Sequence, residues 1–329
     1  MDTAPIRVGI TGCGSAARAH TARLGKIAGV EIVACADPDP EAAARLAESI
    51  GIGATRVFSD HATLLREVRP DVVAIFTPHL AHYRAAMDAL QAGCHVFIEK
   101  PLSTNAQEAV DIVNLARGRS LTLGVGHQYR LLPTLREARS RLASGEIGRL
   151  RLVTALLAQP WLAAHGGTEN SWRFDPKISG GGILADAGDH LIDALLWTTG
   201  GDPREVASVQ TRVEPGLDVV TAAAIRLGDD LSATLAISGV SPNSLFEITF
   251  LGDAGTLRAD DRRLTLDSAG GGRTELVFDP AAIDIDADFI DSIRRDRPPC
   301  CPGDEAVVTV RLLEAIARSA ASGQIVRFG

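Results

Sequence analysis

Positive charge is in short supply. Lys and Arg number 33 against 41 Asp and Glu, a formal net charge of −8. Phosphate backbones are held by basic faces, and no basic run stands anywhere in the chain, so nucleic acid is excluded as a partner. Long apolar runs are missing too. No stretch approaches the roughly 20 residues that a membrane span needs. The N-terminus "MDTAPIRVGITGCG" enters a strand pattern without the basic n-region and apolar core of a secretory signal. The expectation is a cytoplasmic protein with no membrane partner and a small molecule as its ligand. The five cysteines (Cys13, Cys35, Cys94, Cys300 and Cys301) contain no C-x-x-C pair, which argues against a disulfide framework or a cysteine zinc site. They read as reduced thiols, with Cys300 and Cys301 in a loop between prolines. Low-complexity tracts, internal repeats and a Gly/Ser linker are likewise absent. A content of 46% hydrophobic and 22% charged residues is that of an ordinary globular chain.

What is present divides in two. A chain of 329 residues exceeds the commonest single domain, and its texture changes near residue 126. Up to that point, β-branched runs ("IRVGITG", "EIVACAD", "ATRVF", "DVVAIFTP", "HVFIEKP", "LTLGVGH") alternate with Ala-rich segments whose apolar residues recur at three-to-four spacing. That pattern builds an α/β domain, a doubly wound parallel sheet of Rossmann type, over residues 1–126. Residues 127–329 read as a second, α+β domain. After an irregular glycine-rich stretch and a helix come only strands, separated by turns such as "GDD", "SPNS" and "GDAG", which predict a large, open, mainly antiparallel sheet. One face of such a sheet needs a cover, and the expectation is a homodimer or homotetramer built through it.

The segment "GITGCGSAA" places Gly12-x-Gly14-x-x-Ala17 directly after the first strand and at the start of the first helix. Gly12 permits a tight turn, Gly14 lets backbone approach a pyrophosphate, and Ser15 and Ala16 begin a helix whose amide dipoles face that anion. Asp37 ends the second strand about twenty residues on, where a carboxylate accepts from a ribose hydroxyl and repels a 2′-phosphate. NAD is therefore expected in preference to NADP. "EKPLS" follows the fifth strand and brings Lys100 to the carboxyl edge, where ligands of such sheets bind.

The stretch "GGGILADAGDH" leaves three readings open. Asp186 caps the following helix, with Asp189 as its capping-box partner; or Asp186, His190 and Asp193 bind a metal for hydrolase or lyase chemistry; or His190, near a helix N-terminus, is a general base with Asp186 one turn before it. Of the side chains ahead of the glycines (Trp161, His165, Asn170, Trp172 and Arg173) and Arg130 before them, Arg130 and Trp172 are the candidates for substrate contact.

Across essentially its whole length the chain resembles the glucose-fructose oxidoreductase, inositol dehydrogenase and rhizopine-catabolism family (Gfo/Idh/MocA). The resemblance rests on "VGITGCGSAARAH", "TPHLAHYRAAMDALQAGCHVFIEKPLS", "GHQYRLLPTLREARSRLASGEIGRLRLV" and "WRFDPKISGGGILADAGDHLIDALLW". It implies NAD(P)-dependent hydride transfer to or from a secondary hydroxyl or ketone of a sugar, sugar derivative or cyclitol. Lys100, Asp186 and His190 are then the catalytic residues and no metal takes part. Gly12, Gly14, Ser15, Ala16, Asp37, Thr77, Pro78, His82, Glu99 and Lys100 are the cofactor contacts. His79 departs from the asparagine common after "TP" in the family. A catalytically silent NAD- or sugar-binding sensor on the same fold is the alternative reading.

Overall fold

The computed structural model describes residues 4–53, 56–166, 171–214, 216–281 and 283–328. The chain divides into two compact units, Met1–Gly126 with Ile283–Val307, and His127–Ala282 with Val308–Gly329.

In the first unit, β1 (Ile6–Thr11), α1 (Ser15–Leu24), β2 (Val30–Ala36), α2 (Pro40–Ile50), β3 (Val57–Phe58), α3 (His61–Val68), β4 (Val72–Ile75), α4 (His82–Gln91), β5 (His95–Ile98), α5 (Ala106–Gly118) and β6 (Leu123–Val125) alternate. The strands form one parallel sheet in the order β3-β2-β1-β4-β5-β6. Helices on both faces bury the strands on both sides, which is why "VVAI" of β4 is buried throughout. The order reverses direction between β1 and β4, so the carboxyl ends of these two strands frame the crevice where such sheets bind ligands. Asp39, Asp60 and Asn105 cap α2, α3 and α5 by accepting amide hydrogen bonds, whereas α1 starts at Gly14 with no side-chain cap.

The second unit opens with α6 (Pro133–Ala143), β7 (Leu150–Ala158), the short α7 (Trp161–His165) and α8 (Pro176–Ser179), then a π-helical turn, Leu184–Gly188, that runs into α9 (Asp189–Thr199). There follow β8 (Pro203–Val213), β9 (Leu217–Leu227), β10 (Leu231–Ser238), β11 (Leu245–Gly252), β12 (Gly255–Asp260), β13 (Leu264–Ser268) and β14 (Arg273–Glu275). With β15 (Val326–Arg327) they make one sheet in the order β14-β13-β12-β11-β7-β10-β9-β8-β15, antiparallel except where β10 lies parallel to β7. Alternation along β9 sends Thr221, Ala223, Ile225 and Leu227 inward, to a core shared with Leu191, Leu195 and Ile316. It sends Ala222 and Ala224 outward beside Ala236 of β10 and Val209 of β8, which is 70% exposed.

The expected second domain, 127–329, is interrupted. Residues 283–307, with α10 (Ile285–Arg294), belong to the first unit, and the division falls within α11 (Gly303–Ser322). The reason is packing. Phe289 stacks edge-on against Phe97 at 5.4 Å, in space left by Gly124, where a Cβ would lie 2.6 Å from its ring. A buried Phe replaced by Ala typically costs about 3–5 kcal/mol, so this helix is part of the Rossmann core. The Val125 amide donates to the Cys301 carbonyl at 2.9 Å and fixes the following loop as well. Among the described residues no helix is long and apolar enough to cross a membrane.

Candidate active site

The fingerprint loop shows why its glycines are required. Gly12 has φ +86°, and a Cβ there would lie 2.6 Å from the Phe76 carbonyl carbon and 2.7 Å from the Thr77 nitrogen. Around Gly14 a Cβ would meet nothing within 4 Å, so the space before α1 is open. Ser15 and Ala16 begin that helix, and Ala17 packs fully buried beneath it. An anion in front of α1 would meet uncapped amides and the positive end of the dipole. Asp37 stands at the end of β2, its Oδ2 accepting from the Cys13 amide at 2.7 Å and its Oδ1 from the Asp39 amide at 2.8 Å. It thereby ties the glycine loop to the second strand. A carboxylate has about four acceptor positions, so two remain for a ribose. These residues fit a dinucleotide.

At the ends of β4 and β5 lie Thr77, Pro78, Glu99 and a buried Lys100, whose bond to Pro101 is cis. His82, expected to touch the cofactor, is instead fully buried. Its Nδ1 lies 2.7 Å from the Pro101 carbonyl oxygen and its Nε2 2.9 Å from that of Thr77. Burial lowers its pKa and favours the neutral imidazole, whose single N–H donates to one of these two carbonyl oxygens while the ring packs between the two loops. His79 is also buried, edge-on to His82 at 5.8 Å. Glu99 Oε2 accepts from the Lys100 amide at 3.1 Å, and its Oε1 lies 3.0 Å from Nε2 of His20. His20 in turn places Nδ1 2.6 Å from Asp286 on α10. Burial works against the His20 cation, but Asp286 and Glu99 outweigh it and push its pKa up to about 9. His20 and Asp286 escaped the sequence reading, because no spacing rule links residues so far apart.

In the second unit the three glycines are dictated by an aspartate from β9. A Cβ on Gly182 would lie 2.0 Å from the Asp218 carbonyl oxygen. Oδ1 of Asp218 accepts from the Gly182 amide at 2.9 Å and Oδ2 from the Leu184 amide at 2.8 Å. Asp218, with its pKa raised by burial, therefore satisfies the start of this helical stretch. Asp186 does not cap it, nor does Asp189 complete a capping box. Asp186 sits inside the π turn, where its Oδ2 accepts from Trp161 Nε1 and from Arg173 Nε, both at 2.9 Å. The signal for Asp218 was a lone acid opening the apolar strand "LDVVTAAAIRL".

His190 is the second residue of α9 and stacks on Tyr129, with ring centroids 4.5 Å apart and planes 10° from parallel. Arg130, a candidate for sugar contact, is buried with Nε and Nη2 each donating to the Asp193 carboxylate at 2.6 Å. The other candidate, Trp172, is half-buried with the Arg173 guanidinium 4.4 Å above its ring. His165 stands edge-on to Trp161 at 5.5 Å, and Asn170 lies outside the described residues. Among the described residues no group of three or more His, Cys, Asp or Glu side chains could hold a metal ion. Lys100 thus belongs to the first unit, while Asp186 and His190 share one helical stretch of the second.

A doubly wound sheet with an open glycine loop at its switch point, joined in one chain to an Asp-His stretch beside a large open sheet, defines a nicotinamide-type oxidoreductase. The chain belongs to the Gfo/Idh/MocA family. Residues 6–127 match its model described as an oxidoreductase family with an NAD-binding Rossmann fold, and residues 135–258 match its C-terminal domain. The D-glucoside 3-dehydrogenase of Escherichia coli (strain K12) is 31% identical over 61% of this chain and 56% of that one. The UDP-N-acetylglucosamine 3-dehydrogenase of Acidithiobacillus ferrooxidans is 28% identical over 91% and 92%. A structure of levoglucosan dehydrogenase in complex with NADH and levoglucosan superposes with a TM-score of 0.88 at 22% identity, covering 98% of this chain and 99% of that one, and speaks for the fold alone.

Proposed function

We propose that the chain is an NAD-dependent dehydrogenase of the cytoplasm that oxidises a secondary ring hydroxyl of a sugar or sugar derivative, and reduces the corresponding ketone. The observation that carries this reading is the Asp186–His190 stretch. A carboxylate held by two donors stands one turn before an imidazole, on a chain whose other unit offers the dinucleotide loop. Two relatives named as 3-dehydrogenases support the hydroxyl at position 3 of a pyranose as the reacting group.

The bound nicotinamide supplies the hydride acceptor. His190 takes the proton from the substrate hydroxyl and returns it in reduction. Lys100 donates a hydrogen bond to the reacting oxygen, where charge develops. Asp186, fixed by Trp161 and Arg173, accepts from a neighbouring substrate hydroxyl and orients the acid–base pair. Trp172 offers an apolar face to the sugar. The free acceptor positions of Asp37 favour the NAD ribose over a 2′-phosphate. The small outward residues Ala222, Ala224 and Ala236, beside the exposed Val209, suit close sheet-on-sheet association, and a homodimer or homotetramer follows from covering them.

The test is a panel of glycosides, nucleotide sugars, free sugars and cyclitols with NAD and with NADP, read as nicotinamide absorbance. Turnover confined to pyranosides with a free 3-hydroxyl supports the reading. Tight dinucleotide binding without turnover of any polyol would turn it into a silent sensor.

A further inference from the structure

Tyr129 carries an inference that rests on His190 being the acid–base group and extends it. The two rings are nearly parallel at 4.5 Å, so one face of the imidazole lies on the electron-rich face of the phenol. On its other side Tyr129 is braced edge-on by Phe246 of β11, at 5.1 Å and 85°. Its chain neighbours are pinned as well. His127 Nε2 lies 2.7 Å from Asp189 and its Nδ1 3.0 Å from Asp193, while Arg130 makes its two-point contact with Asp193, to which Thr309 also donates at 3.3 Å. All four charged groups are buried. Asp189 and Asp193 flank His190 on α9, and His127 and Arg130 flank Tyr129 on its turn, so two interleaved sets of residues lock one ring over the other.

We propose that Tyr129 is a positioning residue for His190, which fixes the plane of the imidazole and, by presenting its π face, stabilises the imidazolium formed when the base takes the substrate proton. The charged groups around His190 are Asp186, Asp189 and Asp193 on its own helical stretch and His127 and Arg130 on the facing turn. Asp189 and Asp193 are engaged by His127 and Arg130, and Asp186 by Arg173, while the stack lies directly on the imidazole face.

The test separates this role from the assignment of His190 itself. In full-length protein with labelled histidines and no substrate, the His190 resonance is identified by its loss in His190→Gln and titrated by NMR. Tyr129→Leu, which keeps apolar bulk but removes the π face, is expected to lower the His190 pKa by about half to one and a half units. The limb of the kcat profile assigned to His190 should move with it and kcat should fall several-fold, while NAD affinity holds. Tyr129→Phe, which restores the ring, is expected to return the His190 titration to its wild-type position. A Leu variant that does not fold is replaced by Tyr129→Met, read the same way. A wild-type His190 titration in the Leu or Met protein would overturn the role of Tyr129 and leave that of His190 standing. The role of His190 itself falls only if His190→Ala retains turnover.

Discussion

Replacing His127 by Gln removes one cation from a cluster of four buried charges, and the cost should depend on pH. Burial alone would lower the pKa of His127, but the charges of Asp193 and Asp189 outweigh it and hold it up to about 10, against an ordinary 6.5. Asp193 is held far below the carboxylate range by His127 and Arg130, although burial opposes this. A pKa raised in the folded state stabilises the fold fully below about pH 6.5, and that stabilisation is lost as the pH climbs towards 10. At about 1.4 kcal/mol per unit, the shift amounts to about 4–5 kcal/mol at pH 6 and to less than about 1 kcal/mol at pH 9.5. The first figure agrees with the roughly 3–5 kcal/mol for removing one partner of a buried ion pair. Trp161, Trp172 and Trp197 are the only tryptophans and all lie in the second unit, so denaturant unfolding followed by their fluorescence reports on the unit that holds the cluster. The stability gap between wild type and His127→Gln should narrow by about 4 kcal/mol between pH 6 and pH 9.5. A gap of equal size at both would mean that His127 is neutral in the fold, and the electrostatic account of the cluster would fail.

Three further outcomes follow from the described geometry. Asp37→Ser should reduce the preference for NAD over NADP by about tenfold or more in calorimetric titrations, through loss of a ribose acceptor and of a negative charge; an unchanged ratio would remove Asp37 from cofactor choice. Lys100→Met should bind NAD within a few-fold of wild type but lose about a hundredfold or more in kcat, and equal turnover would end its assigned role. Gly182→Ala drives a Cβ towards the Asp218 carbonyl oxygen and should lower the melting temperature by several degrees, with activity falling in parallel; a neutral substitution would show that the loop relaxes freely.

How much could be read from sequence varied with the range of the interaction. The first six strands follow from local alternation and short connections, and the fingerprint glycines follow from one turn, so periodicity and motif found them. The assignment of His82 to the cofactor failed because a motif match says where a residue stands and not which way its ring faces; here it turns into the protein and meets the carbonyl oxygens of Thr77 and Pro101. Arg130 misled for a related reason, since a lone arginine before a glycine run is equally compatible with a pocket and with a buried partner, and Asp193 lies 63 residues away. The return of α10 to the first unit could not be seen either. Its apolar residues fit any core, and only Gly124, emptied of a side chain on β6, provides the complementary space.

The role of Asp186 is where the geometry most changes what should be measured. One turn before His190, a carboxylate reads naturally as the group that orients the base. Its Oδ2, however, accepts from both Trp161 and Arg173, and a carboxylate held so firmly by donors is fixed in place to meet a substrate hydroxyl. The two roles have different signatures. If Asp186 chiefly receives a substrate hydroxyl, Asp186→Asn, whose amide keeps one oxygen for Trp161 and Arg173, should raise KM about tenfold or more and lower kcat by less, and the limb of the kcat profile assigned to His190 should stay in place. If it chiefly orients the imidazole, kcat should fall towards the loss of about a hundredfold or more expected of His190→Ala, and that limb should move with it. Arg173→Gln decides between them from outside the pair. It frees the carboxylate from one donor and also uncovers the Trp172 ring, so a KM effect larger than that of Trp172→Leu places Asp186 with the substrate, whereas a displaced pH limb with unchanged KM would refute that placement.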